Sequence, residues 1–439
     1  RFGFDCPIHG KEIFRLGGHY PWVISRDAPF KVKCPVGGEI YPTNDFEAYF
    51  KAGRKEKLDT TQPYVDDGFG WLDAEGNRYW FVGYYVFWQR WREDVIGGVS
   101  ALARLYLLTG DPEVAHKAGV MLARLAQIYP QMDYSTQAYH NGKWPAGIPG
   151  KILDYIWEVG NTTTFATAFD NLYDALDEPA LAEFSRAQGI EDPKDFIRKN
   201  LVEEGARAIM AGKLHSNMTH QAALAHLAKV LDNDDPNAGL TTKEMVDWIM
   251  WGGGEMGTLL YNGVTRDGAG SENTPGYNGI WWASFYDLAD KLRPLGYDLW
   301  ADGRLKKMSD YYIDVTVAGD YVPSTGDIGG TIAPSAKQWN QALFRRALQE
   351  YEDDRIATVL VKMGADPKSL YPDISDEQAQ GLRQQAEEFA LKSRDLGGWG
   401  MSILEAGPAD RPHAVTMYYG SQGGWHGHKD RLNIEYIAR

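Results

Sequence analysis

Cysteine is nearly absent: Cys6 and Cys34 are the only two in 439 residues, so a disulfide-stapled scaffold is excluded and at most one bridge can form. Positive charge is also short. Forty-five Lys and Arg against 60 Asp and Glu give a formal net charge of −15, which opposes a general phosphate-binding surface, so nucleic acid is not an expected partner. An acidic substrate would need a locally basic or hydrogen-bonding cleft. Long apolar runs are missing as well. The longest, Tyr79 to Trp88, has about ten residues, well below the ~20 that cross a bilayer, so no membrane partner and a soluble chain are expected. There is no P-loop, no HExxH and no CxxC, and the Gly-rich stretch Gly252–Gly257 follows a helical run, so it reads as a helix interruption and not a phosphate loop.

What is abundant is aromatic: 13% of the chain, with 15 Trp and 25 Tyr. Flat rings with one polar edge suit sugar faces as well as packing, which hints at carbohydrate. The length allows one large domain or two ordinary ones, and 44% hydrophobic content supports sizeable cores. The chain begins at Arg1 and not at a Met, which raises the expectation of a leader already removed.

Residues 1–80 are irregular and rich in Pro, Gly and aromatics, and read as an N-terminal arm. Within it, Cys6-Pro-Ile-His9-Gly and Cys34-Pro-Val-Gly-Gly sit at turn-like positions. They resemble the knuckles of a zinc ribbon, with Cys6, His9 and Cys34 as ligands and Gly37 where a fourth would stand. A Cys6–Cys34 disulfide and two buried free thiols are the alternatives.

From about Trp88 the period becomes helical. Val99, Leu102 and Leu105, then Val114, Ala118, Met121, Leu122 and Leu125, fall on single faces. Between them Thr109-Gly-Asp-Pro112 supplies a Gly stop, an Asp cap and a Pro at the first helical position. Similar runs recur near 151–176, 193–212, 219–231, 241–261, 276–293, 301–317, 336–349, 353–363 and 375–392. The expected architecture for 81–394 is therefore an incomplete (α/α) toroid of helical hairpins. After Arg394 three runs with strand composition, 398–405, 413–419 and 431–437, read as the start of an antiparallel β-sandwich over 395–439. Three strands do not bury a sheet face alone, so the chain is expected to be a fragment.

Three polar clusters are candidates for chemistry. Asn217 and His220 open an Ala-rich helix and share a face; an N-cap and a surface His is the bland alternative. Asp267-Gly-Ala-Gly-Ser-Glu272 leads through Tyr277 into Trp281 and Trp282, which also fits a loop with packed aromatics. Gly423-Gly-Trp425-His426-Gly-His428 enters a strand, where two His one residue apart point the same way; a polar turn is the alternative.

In this order the clusters resemble the heparinase II/III-like polysaccharide lyases. Asp267-Gly268, with Glu272 five and Tyr277 ten residues on, is similar to that family's catalytic-tyrosine segment. Asn217 is similar to its carboxylate-binding Asn, and His426-Gly-His428 to its catalytic and zinc-binding pair. Leu108-Thr-Gly-Asp111, Trp157-Glu158 and Pro323-Ser-Thr-Gly-Asp327 add to the likeness. Many relatives place a His directly after the Asn; Met218 stands there, so the role is transferred to His220. The other zinc ligands of the family are expected beyond the end of this sequence, so only His428 is carried over.

The resemblance implies β-elimination on a uronic-acid polysaccharide. A base removes the C5 proton, charge spreads into the carboxylate, and the C4 oxygen leaves with a proton from an acid. Tyr277 is then the acid and, for one geometry, also the base; His426 is the base for the other. A Tyr with an ordinary pKa near 10 needs neighbours that favour its anion. Asn217 and His220 would neutralise the carboxylate, and Glu272 would orient. Zinc at His428 would be structural. Trp157, Glu158, Trp281 and Trp425 are expected to line a sugar cleft, with Arg266 or Arg431 forked on a carboxylate or sulfate. For each Trp, core packing competes.

The expected partner is an acidic polysaccharide or oligosaccharide, a periplasmic or secreted location follows from meeting it, and a homo-oligomer is compatible. Three rivals stand beside the lyase: a uronyl C5-epimerase, a silent glycan-binding protein, and an inverting glycoside hydrolase using Asp267 and Glu272.

Overall fold

The computed structural model describes residues 5–18, 20–134, 150–152, 155–216, 219–272, 274–319, 321–327, 341–408, 410–420, 426–429 and 431–438, with 155–157 described for backbone alone. These residues are mostly helical, with a small antiparallel sheet near the C-terminal end. They form two compact units: 1–216 with 226–242, and 217–225 with 243–439. No helix among them is long and apolar enough to cross a membrane.

In the first unit, the N-terminal arm holds two short antiparallel ladders. Strand β1 (Val32–Lys33) pairs with β2 (Ile40–Tyr41), and β3 (Trp71–Leu72) with β4 (Arg78–Tyr79). Much of the aromatic content is spent here. Trp22, Tyr41, Phe81, Tyr84 and Tyr85 enclose Cys6, Ile13, Val32 and Cys34 in one buried cluster, and Tyr41 stacks on Phe81 at 4.8 Å. The arm is thus packed onto the helix Phe81–Tyr85. The buried Asp66 carboxylate fastens the two by accepting the amides of Gly68 (2.7 Å), Gly70 (2.9 Å) and Val82 (3.0 Å).

The helical hairpin forms as its punctuation predicts. Helix Gly98–Thr109 stops at Gly110 with φ 65°, and Pro112–Ile128 starts behind Asp111, whose side chain accepts the Glu113 amide. Ala115, Ala118, Leu122 and Leu125 are buried along one face. Gly119 lets a neighbour in: a Cβ there would lie 2.7 Å from Leu181. Leu181 sits on Pro179–Arg186, a helix the periodicity missed because eight residues carry too few apolar positions to show a period.

The second unit confirms the helix interruption: Thr242–Met250 ends, Glu255 turns at φ 46°, and Met256–Gly263 resumes. Helices Pro275–Leu292 and Gly303–Asp314 meet through Trp282 and Tyr312, stacked at 4.7 Å. The sheet has four strands in sequential order, β5 (Arg394–Leu396), β6 (Met401–Ala406), β7 (His413–Tyr418) and β8 (Asn433–Ala438). Three were expected. The extra one, β5, is three residues long, too short for alternation to register. Met401, Ile403, Ala414 and Tyr418 are buried on one face, while Leu404, Ile434 and Tyr436 are exposed on the other. Among the described residues this is a single sheet layer.

Candidate active site

The Asp267-Gly268 turn builds the platform. Thr265 and Ala269 close it, with the Ala269 carbonyl accepting the Thr265 amide at 2.8 Å. Gly268, at φ +91°, presses on the next helix, where a Cβ would lie 1.8 Å from the Lys307 carbonyl oxygen. Only glycine fits there. Asp267 Oδ2 accepts the backbone amides of Gly398 (2.5 Å) and Trp399 (2.9 Å), so this carboxylate holds the β5–β6 turn.

Ten residues on, Tyr277 stands in the first turn of Pro275–Leu292, with Pro275 at the first helical position. That turn is pinned from Gly303–Asp314. The Tyr312 hydroxyl donates to the Pro275 carbonyl at 2.9 Å, and Asn278 Nδ2 donates to the Tyr311 hydroxyl at 3.4 Å. Burial pushes the Tyr311 and Tyr312 phenols far above their ordinary range, so both stay neutral. Tyr277 itself is half-buried.

His426 lies flat on Tyr277, ring centroids 3.5 Å apart and planes within 6°. Its Nδ1–H donates to Glu272 Oε2 at 2.9 Å. Glu272 is 8% exposed, so its carboxylate is committed to the imidazole, and that bond leaves the lone pair of the neutral ring on Nε2. The backbone of His426 is left-handed, φ 62°, a conformation a non-glycine residue keeps only when its surroundings enforce it. One enforcing contact is the Asp327 amide, which donates to the His426 carbonyl at 2.8 Å. Asp327 Oδ1 also receives His428 Nε2 at 2.7 Å. The phrase 323–327 is thus a clamp on both histidines, a role its sequence did not disclose.

Tyr277, His426 and Glu272 are therefore brought together, and His428 is joined to Asp327 beside them. Several other expected site residues are placed elsewhere. His220 is 2% exposed and packs edge-on against Trp248 at 5.9 Å, so the ring expected to meet a substrate carboxylate is sealed from solvent. Trp281 is 4% exposed and closes over Gly263 and Gly270, where Cβ atoms would lie 2.8 and 2.7 Å from its ring; it is a core residue, not a sugar platform. Trp282 is buried likewise. Glu158 is fully buried and accepts the amides of Lys151 (2.9 Å) and Ile152 (2.6 Å), which makes it a loop anchor and not a substrate ligand. Glu272, expected at the substrate, has its Oε2 on His426 Nδ1. Arg266 is exposed, beside Gly397, where a Cβ would lie 2.5 Å from its Nη2. Arg431 donates from Nε to the Gly420 carbonyl at 3.0 Å. Asn217 and Trp425, and the side chain of Trp157, lie outside the described residues. A cavity of about 620 Å³ lined by Tyr312, Thr316, Phe344 and Lys362 includes none of Tyr277, His426 or Glu272.

For a metal at His428 the described residues supply one further donor. That donor is Asp327, both residues are half-exposed, and two donors alone do not hold a structural zinc. Among the described residues, the group that could hold a metal ion is Cys6, His9, Cys34 and Glu39 in the arm.

Neither a scan of protein-family models nor a search of curated proteins finds a match. Among solved structures the fold is similar to the heparan sulfate lyase HepC from Pedobacter heparinus, at 12% identity and a TM-score of 0.45 over 94% of this chain and 53% of that one. It is also similar to heparinase III, at 14% identity and a TM-score of 0.47 over 89% and 59%. The chain spans little more than half the length of these proteins.

Proposed function

We propose that the protein is a polysaccharide lyase that cleaves a uronic-acid-containing polymer by β-elimination. The reading includes the finer architecture of an incomplete (α/α) toroid with a β-sandwich and a periplasmic or secreted location. The observation that carries it is the trio itself: a tyrosine and a histidine stacked at 3.5 Å, with the histidine held by a buried carboxylate at 2.9 Å.

His426 Nε2 takes the C5 proton, and the C–H electron pair becomes the C4–C5 double bond. The C4–O bond breaks with its electrons on oxygen, which receives the Tyr277 hydroxyl proton. Proton return from imidazolium to phenolate resets the pair, so atoms and electrons balance without a redox partner. Glu272 keeps Nε2 as the basic nitrogen and stabilises the imidazolium. Asn217 supplies a hydrogen bond to the substrate carboxylate.

The hydrolase alternative is disfavoured because Asp267 Oδ2 is taken by two backbone amides and Glu272 Oε2 by His426, so each carboxylate already has a partner other than a water. The epimerase shares the proton abstraction. The test is ultraviolet absorbance on alginate, heparan sulfate, chondroitin, dermatan and ulvan, with Tyr277→Phe and His426→Ala beside the parent. A rise that both variants lose by about 10²-fold or more supports the lyase. No rise on any polymer, with deuterium exchange at C5, replaces it by the epimerase; saturated products would replace it by the hydrolase.

A further inference from the structure

The arm brings together two cysteines, a histidine and a glutamate from two separate turns. Cys6 and Gly10 exchange amide hydrogen bonds of 3.2 and 2.8 Å, which folds His9 back toward Cys6. In the second turn the Gly38 amide donates to the Cys34 carbonyl at 2.9 Å, and the Cys34 amide to the Glu39 carbonyl at 2.8 Å. Gly37 occupies the position where a knuckle would place its next ligand. The structure shows why it is glycine: a Cβ there would lie 2.2 Å from Glu39 Oε1 and 2.3 Å from His9 Cε1. The room a side chain at 37 would take is filled by Glu39, two residues later.

The two sulfur–imidazole distances are hydrogen-bond lengths for sulfur, and they also match the edges of a ligand tetrahedron. His9 Nδ1 is 3.5 Å from Cys6 Sγ, 3.6 Å from Cys34 Sγ and 3.5 Å from Glu39 Oε2, and all four donor atoms lie within 4.8 Å of one another. A tetrahedral zinc with bonds of about 2.0 to 2.3 Å has ligand–ligand edges of roughly 3.3 to 3.8 Å. Both cysteines are free and sealed, 1% and 0% exposed, and Glu39 Oε2 is a buried atom with no hydrogen-bond partner among the described residues. Two sulfurs, one imidazole and one carboxylate select a borderline-soft divalent ion over calcium or magnesium. Four protein donors close the sphere, so the ion would be structural.

We propose that Cys6, His9, Cys34 and Glu39 bind one zinc ion that clasps the two turns of the arm against its aromatic cluster. The site is independent of the lyase reading. Neutral imidazole, two thiolates and a carboxylate leave a net charge of −1 on the loaded site, compensated in part by its contacts with the surrounding amides.

The full chain, purified without chelator and then reconstituted with Zn²⁺ after reduction, should hold one zinc by elemental analysis. Co²⁺ in its place should show thiolate-to-metal charge-transfer and tetrahedral d–d bands. Cys34→Ser should retain no metal, and Glu39→Gln, at a half-buried position, should keep native circular dichroism while losing at least tenfold in Zn²⁺ affinity against a competing chelator. Chelation should lower the melting midpoint of the parent and leave that of folded Cys34→Ser unmoved; should Cys34→Ser fail to fold, the parent stoichiometry and cobalt spectrum decide. Zinc below one per chain after reconstitution, a cobalt spectrum without the charge-transfer band, Glu39→Gln binding as the parent does, or intact mass showing a Cys6–Cys34 disulfide in the native protein would each overturn the proposal.

Discussion

Glu272 touches no substrate atom in the proposed reaction; it acts through His426. Replacing it by Gln keeps the shape and one hydrogen-bonding edge but removes the charge that favours the imidazolium. The expected result is a loss of about 10- to 100-fold in kcat with KM little changed. An equal rise in KM would mean that Glu272 binds sugar after all. Gly268 is the opposite kind of residue, far from any proton transfer yet intolerant of change. Its φ of +91° and the 1.8 Å approach to Lys307 predict that Gly268→Ala loses about 3 kcal/mol or more of stability, read as a lowered urea midpoint. A variant as stable as the parent would show that the turn is not pressed against that helix.

At the scale of elements, an ion pair ties helix Gln341–Tyr351 to the end of Pro275–Leu292. Glu350 meets Arg293 across that junction at 2.6 Å and Arg346 on its own helix at 2.5 Å, and the Arg293 hydrogen bond, ahead of Arg346, holds its carboxyl below the ordinary Glu range. A depressed folded-state pKa contributes stability that is present above the unfolded value, near 4.3, and is lost as pH falls through the folded value. Glu350→Gln should therefore be less stable than the parent at pH 7 and match it in strong acid, measured as melting midpoints from pH 7 downward. A gap that persists unchanged in acid would make the effect packing and not charge.

At the scale of the molecule, a net charge of −15 repels polyanions generally, so recognition of the proposed acidic polymer would have to be local. The protein should pass through DNA-cellulose unretained at about 0.1 M salt, where charges beyond about 10 Å are screened; retention would expose a basic field that the composition hides. Helix existence, the Thr109–Pro112 hairpin and the interruption at Gly252–Gly257 were legible in the chain because periodicity, caps and glycine stops act over a few residues. Tyr277, His426 and Glu272 were legible only as a resemblance in order and spacing. That the first two stack, that Glu272 serves His426, and that Asp327 clamps both histidines are decided by tertiary structure, since these partners come from segments 99 to 154 residues apart. Burial is likewise a property of the fold. Trp281, Glu158 and His220 carry the right chemistry for a sugar site, and local sequence does not say which face of a helix is turned inward. The same division holds at the arm, where Cys6, His9 and Cys34 announce a ligand set, and only the fold brings Glu39 into the room beside Gly37 as the proposed fourth member.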